Sequence, residues 1–263
     1  MAQSPNGIPS TGNVVNSITR QALYEPFNLQ VARGQIYGHS ILSLFGYNAN
    51  IQSSTATTAI PLWENSTTYT YPTTATTMTV VSTSASDVCN MLIQGLDANF
   101  NPVSETIKVN GTTGVTTTKS YLRINNLTLV TPPSGYLTNQ GVITVKQSSN
   151  IVAQINSGIG KNQAAIYTVP AGYSFYLDSV NISTDNAYTG TPLYYNVQAI
   201  NNLTGVELTI LQQPFTALFN IDRNSNPFAY AEKTDLQWQI SAPGAGSALQ
   251  IGIVVCGKVI LNG

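Results

Sequence analysis

Short runs of alternating apolar and polar residues, each closed by a turn signal after about ten residues, most narrow what this chain can fold into. "ETIKVNG", "YLRINNLTLV", "GVITVKQ", "AIYTVP", "YSFYLDSVNIS", "LYYNVQAI", "VELTILQ", "LQWQISA" and "LQIGIVVCGKVIL" read as strands. "VNGTTG", "TPPSG", "VPAGY", "DNAYTGTP" and "SAPGAGS" separate them. Nowhere is an i, i+3, i+4, i+7 apolar pattern sustained, so no long amphipathic helix is expected. Many short strands at this spacing predict an all-β chain of antiparallel β-sandwich or jelly-roll units.

Three sections follow from the distribution of apolar residues. Residues 1–36 are polar with scattered Pro and Gly and read as an extended N-terminal arm. Residues 37–150 hold the Thr-rich "STATTAIPLWENSTTYTYPTTATTMTVVSTSAS" and read as a Thr-rich β-sandwich domain. Thr forms strands well but fills cores poorly, so solvated sheet faces or subunit contacts suit it. Residues 151–263 hold the densest apolar strands and read as a second, jelly-roll-like sandwich. Within them, "YTVPAGYSFYL" reads as a hairpin: Pro170 presets φ at the first corner and Gly172 supplies freedom after it.

Charged residues make up only 8% of the 263 positions, against roughly 25% in an ordinary soluble domain. With 42% hydrophobic residues the chain is not of disordered type; Thr, Ser, Asn and Gln carry its polarity. A net charge of −1 without a basic patch excludes nucleic acid as a partner. "MAQSPNGIPSTGN" has neither basic start nor apolar run, so no signal peptide is expected, and no segment is long enough to span a membrane. Cys89 and Cys256 therefore read as two buried free thiols, with a disulfide as the alternative. Five Asn-x-Ser/Thr matches, at Asn65, Asn110, Asn126, Asn181 and Asn202, are what a chain so rich in these residues contains by chance.

Groups able to do chemistry are sparse. His39 is the sole histidine, in "YGHSIL", with no nucleophile elbow, and reads as a structural or interface residue. One histidine and two separated cysteines do not make a usual zinc site. Asp87, Asp97, Asp178, Asp185 and Asp222 stand beside turn residues, where Asp caps backbone, rather than as a marked carboxylate pair. "SGIGKNQ" lacks the rest of a phosphate loop and reads as a turn. "IQGLDANFNPVSETIKVNGTT" carries Asp97, Asn99 and Asn101 at alternate positions, with Glu105 close behind. An EF-hand counted from Asp97 fails, since Pro102 and Lys108 fall where Gly and an acid belong. A hairpin tip is the preferred reading over a loop metal site. No catalytic residue, metal or cofactor is expected. Among fourteen tyrosines, Tyr69, Tyr71, Tyr194 and Tyr195 are the candidates for an interaction surface, either a sugar-binding face or a subunit contact, with ordinary strand positions as the alternative.

Taken in order, "VARGQIYGHSILSLFGYNANI", "IPLWENSTTYTYP", "MTVVSTSASD", "IQGLDANFNPVSETIKVNGTTGVTTTKSYLRINNLTL", "NQGVITV" and "AIYTVPAGYSFYL" resemble a group of virion structural proteins of tailed bacteriophages, frequent among marine phages. The series covers most of residues 30–180. Tyr47 and Ala49 stand where relatives tend to carry basic or Pro residues, and Cys89 to Met91 replace a Gly-rich stretch. The resemblance implies a particle component without catalysis, located in the virion and made in the host cytoplasm. It also implies a homo-oligomer, a trimer being one such order, with major capsid or tail proteins as partners. A capsid decoration or head-associated role is expected, with a tail or fibre module that binds carbohydrate or a receptor as the alternative.

Overall fold

A computed structural model describes residues 25–52, 59–184, 192–216, 218–223, 226–242 and 248–263. Among the described residues are one short helix, α1 (Phe27–Ala32), and seventeen strands. These are β1 (His39–Ile51), β2 (Ile60–Pro61), β3 (Thr76–Ser82), β4 (Val88–Leu96), β5 (Pro102–Asn110), β6 (Val115–Tyr121), β7 (Arg123–Thr131), β8 (Ile143–Gln147) and β9 (Asn150–Ile155). They continue with β10 (Ile166–Thr168), β11 (Tyr173–Thr184), β12 (Leu193–Asn201), β13 (Val206–Phe215), β14 (Leu218–Asp222), β15 (Phe228–Tyr230), β16 (Thr234–Ser241) and β17 (Leu249–Leu261). Every pairing between them is antiparallel, as the alternating pattern predicts.

The strands make two sandwiches, one inserted in the other. Sheets β6-β3-β8-β9 and β5-β4-β7 enclose a core around Met78, Met91, Ile93, Tyr121, Leu127 and Ile143, all fully buried. This inserted sandwich is one continuous stretch of chain. The outer sandwich packs sheet β1-β17-β11-β14, with β15 on β11, against sheet β10-β16-β12-β13, with β2 on β16. Its core is more aromatic, with Phe175, Tyr195 and Trp238 at no exposure. Burying each such side chain contributes roughly 1.5–3 kcal/mol. β1 and β17, thirteen residues each, run side by side, pairing Ser43 with Cys256 across 213 positions.

This pairing shifts the expected division of the chain. Residues 39–51 and 60–61, placed by sequence in the 37–150 section, are strands of the sandwich that the C-terminal strands complete. Residues 151–155, placed by sequence in the 151–263 section, belong to β9, which closes the inserted sandwich. Alternation marks where a strand lies but not which strand it pairs with.

Two further expectations change. Of the arm, residues 1–24 lie outside the described residues, and the remainder is not extended. Phe27 and Val31 fall four apart on one helical face, Val31 is buried, and Gly34 at φ 69° ends the turn by donating its N–H to Val31 O at 2.9 Å. Around Pro170 and Gly172 the turn forms as predicted, with Tyr173 N–H on Pro170 O at 3.2 Å and Gly172 at φ 77°. It does not make a hairpin: β10 joins β16 in one sheet and β11 joins β17 in the other, so the turn is a corner between layers.

The tip of "IQGLDANFNPVSETIKVNGTT" is a hairpin. β4 and β5 pair in unbroken register from Val88 with Asn110 to Leu96 with Pro102. Asp97 Oδ1 accepts the N–H groups of Asn99 (2.8 Å) and Asn101 (2.9 Å), and Oδ2 accepts from the Asn101 amide at 3.2 Å. Burial opposes ionisation of this carboxylate, but these donors outweigh it and hold its pKa below the usual carboxylate value. Glu105 is likewise engaged with Thr118 N–H (2.9 Å), Thr118 Oγ1 (2.7 Å) and Lys119 N–H (3.3 Å). Both acids serve their own backbone.

Candidate functional site

Two segments join the sandwiches, residues 62–75 outward and 156–165 on return. They meet where Trp63 and Ala164 form an isolated bridge and Ala165 N–H donates to Leu62 O at 2.8 Å. Along the outward segment Trp63, Tyr69 and Tyr71 stack edge to face, with ring centroids 5.0 and 4.9 Å apart. Tyr69 Oη donates to Val152 O of the inserted sandwich at 3.2 Å, and Tyr71 Oη donates to Leu236 O of the outer one at 3.3 Å. Alternate side chains of one extended segment thus fasten to opposite bodies.

The centre of this seam is a buried ion pair. Arg123, at the start of β7, donates from Nε and Nη2 to both carboxylate oxygens of Asp235 on β16, each at 2.8 Å. Its Nη1 donates to Pro72 O (2.6 Å) and Leu122 O (2.9 Å), and its plane lies 4.8 Å from the Tyr71 centroid and 5.6 Å from that of Phe100. Asp235 also accepts from Thr168 Oγ1 (2.5 Å) and Asn202 Nδ2 (2.8 Å). The two residues are 5% and 2% exposed. Removing charges from water this completely is costly, and only such full hydrogen bonding offsets it. Asn125 and Thr168 exchange amide bonds beside it, at 2.9 and 3.0 Å. The hairpin tip joins in as well, since Ala171 N–H donates to Phe100 O at 2.9 Å.

Glu64 lies in the same seam. Its Oε2 accepts Asn156 N–H at 3.1 Å, while Oε1 is buried with no hydrogen-bond partner among the described residues. Burial pushes its pKa up to about 8, although the backbone N–H groups of Asn156 and Gln163 pull it down. The side chain is therefore mostly protonated at neutral pH.

A second feature is the outward face of sheet β1-β17-β11-β14, which no other sheet covers among the described residues. Its side chains fall in rows: Tyr47–Gly252–Ser183–Leu218, Phe45–Val254–Asn181–Asn220 and Ser43–Cys256–Ser179–Asp222. In the first row small residues, Gly252 and Ser183, occupy the middle, and the larger Tyr47 and Leu218 stand at the edges. The result is a trough of ≈ 460 Å³ centred on Gly252. Phe45 is 48% exposed on its wall, and Tyr47 Oη donates to Gln250 Oε1 at 2.6 Å. Across the trough Asn220 Nδ2 donates to Asn181 Oδ1 at 2.5 Å.

The four candidate tyrosines do not share a surface. Tyr69 and Tyr71 are inside the seam, where their contacts are between the two halves of this chain. Tyr195 is fully buried in the outer core, 5.2 Å from Phe219, and only its half-buried neighbour Tyr194 points to the other side of β12. "YTY" and "LYY" show aromatic residues at strand spacing but not which body each ring will meet. Cys89 is buried and Cys256 half-buried on the trough face; both are free thiols. His39 packs edge to face on Phe27 at 5.8 Å and contacts Tyr37 O through Nδ1 at 2.9 Å, a structural placement. Asp87 caps backbone as read, accepting from Gln140 N–H (2.7 Å) and Gly141 N–H (2.9 Å). Asp178 does not: it pairs with Lys258 across β11 and β17. Asp185 lies outside the described residues. Arg123, Asp235 and Glu64 were not singled out by sequence; the one signal was an arginine inside the apolar alternation of "YLRINNLTLV".

No family model and no curated protein matches the chain. Among solved structures it is similar to the infectious bursal disease virus VP2 subviral particle, at 10% identity over 86% of this chain and 72% of that one, with a TM-score of 0.19. Structures of the Gx and Gt strains of the same virus match at 8% and 12% identity. These cover 86% and 91% of this chain and 73% and 83% of theirs, with TM-scores of 0.20 and 0.14. Superpositions this loose leave the role of the chain to its own residues.

Proposed function

We propose that this protein is a non-enzymatic structural component of a bacteriophage virion. In this reading it is a capsid decoration or head-associated protein that assembles as a symmetric oligomer on major capsid or tail proteins. The observation that carries the proposal is the seam. The buried guanidinium and carboxylate of Arg123 and Asp235 fasten one sandwich to the other. Asp87, Asp97, Glu105 and Asp178 likewise hold their own chain's donors, a use of acids that suits a scaffold. The series of motifs that resembles phage virion proteins points the same way. Quantitative mass spectrometry of purified particles tests it: hundreds of copies per particle support decoration. A dozen or fewer move the protein to the tail or a vertex, and a monomer that never copurifies with particles overturns the proposal.

A second reading, a tail or fibre component that binds a receptor, is favoured by one observation: the uncovered trough between Phe45 and Asn181.

A further inference from the structure

We infer that the trough on the β1-β17-β11-β14 face is a binding site for a neutral hexopyranose, as a monosaccharide or the end of a glycan. The inference deepens the second reading above. The purified chain tests it without any particle, so a wrong position in the virion and a wrong ligand give different results.

Three properties of the trough select this ligand class. The first is shape. β17 is apolar along most of its length but carries Gly252 where the sheet faces outward, between Tyr47 on β1 and Ser183 on β11. A Cβ built there meets nothing nearer than Ser183 Oγ at 3.6 Å, so packing does not require the glycine. What its missing side chain provides is depth, in a hollow whose ≈ 460 Å³ suits a mono- or disaccharide.

The second property is the pairing of apolar walls with uncharged hydrogen-bonding groups. A pyranose has an apolar C–H face and a rim of hydroxyls that each donate and accept. Phe45 and Tyr47 supply an aromatic wall for the C–H face. Opposite them, Asn220 Nδ2 is bonded to Asn181 Oδ1, which ties the two amides together. This leaves Asn181 Nδ2 as a donor beside Asn220 Oδ1 as an acceptor, a pair matched to one hydroxyl or to two neighbouring ones. Outside the lining, Gln250 Oε1 accepts from Tyr47 Oη, which orients the Tyr47 ring.

The third is charge. None of the residues lining the trough is ionisable in the physiological range. Lys258, two rows away, is already paired with Asp178. Lys161 stands 5.9 Å from the Phe45 centroid but is not part of the lining. A phosphate, a sulfated sugar or an acidic peptide would lose hydration here with no cation in the lining to pair with. A purely apolar ligand would leave the amides of Asn181 and Asn220 buried beneath it.

The test is saturation-transfer NMR on the purified full chain, with methyl glucopyranosides, methyl galactopyranosides, mannose, N-acetylglucosamine, lactose and cellobiose as probes and glucuronic acid as the charged comparator. At least one neutral probe should receive transfer at its ring C–H protons, with millimolar affinity. Phe45→Ala and Asn181→Ala should each weaken it at least tenfold. Gly252→Val separates binding from folding: a β-branched residue on the outer face of a strand keeps the sheet, fills the hollow and should abolish transfer with the melting temperature retained. Leu137→Ser, at a 97% exposed position on the inserted sandwich, should change nothing. Transfer to none of the neutral probes, binding confined to glucuronic acid, or binding that survives Gly252→Val overturns the inference.

Discussion

The inserted and outer sandwiches use the same alternation of residues to different ends. The inserted one is a single run of chain whose β4–β5 hairpin closes on its own tip, where Asp97 accepts from residues two and four positions on, while Asp87 holds the more distant Gln140 and Gly141. The outer one is assembled from both sides of that insertion, and its longest pairing, β1 with β17, joins positions more than two hundred residues apart. Local contacts close with little loss of chain entropy, whereas a distant pair gains its contacts only after a long loop has been restricted. The insertion eases this, because its two ends lie side by side where Trp63 bridges Ala164, so the inserted strands shorten the loop between β1 and β17 once they have formed. The seam then fixes one body on the other.

The largest expected effect comes from breaking that seam on one side. Arg123→Met leaves the Asp235 carboxylate buried with only Thr168 and Asn202 as donors, and should cost about 3–5 kcal/mol. Calorimetry should show one cooperative transition in the parent protein and two in the variant, as each sandwich melts by itself. A single transition at an unchanged temperature would mean that the seam does not couple the bodies.

Glu64 sharpens the same comparison through pH. Its folded pKa of about 8 lies above its ordinary value of 4.5, so the folded state retains a proton that the unfolded chain has released between those values. Stability should therefore decline as pH rises from about 4.5 to about 8 and level off above, by roughly 3–5 kcal/mol in total from this group. Glu64→Gln keeps the size and the amide-like polarity and should flatten that decline. Denaturant melts at a series of pH values read it directly, and an unaltered pH slope in the variant would assign the effect elsewhere.

The smallest effect belongs to the inserted sandwich alone. Asp97→Ala removes the acceptor for Asn99 and Asn101 at the hairpin tip and should lower stability by about 1 kcal/mol. It should act on the insertion's own unfolding, with no change at the β1–β17 pair, in hydrogen exchange of the two strands compared residue by residue.

How far these features could be read beforehand differs in the same way between the two bodies. The β4–β5 hairpin was legible because its strands, its tip and its capping acid fit within a stretch of twenty-odd residues. The turn at Pro170 was legible as a turn, yet its strands part into different sheets, since turn chemistry constrains four residues and leaves the partners of the flanking strands open. Tyr69 and Tyr71 read as candidates for a sugar-binding or subunit-contact surface, and the groups they meet belong to their own chain. The trough had no signature at all: Gly252 reads as one more glycine in an apolar strand until Tyr47 and Ser183 are placed on either side of it.

The sequence by itself determined the all-β class, most strand and turn positions, the neutral surface chemistry and the local caps. Each depends on side-chain alternation or on hydrogen bonds within a few residues. Only the tertiary structure decided that one sandwich is nested in the other, that Arg123 meets Asp235, that Glu64 keeps its proton, and which tyrosines are inside. Those outcomes rest on which distant strands pair and on how much water they exclude. A period-two pattern is nearly silent on both, because many strands of like composition satisfy it equally well.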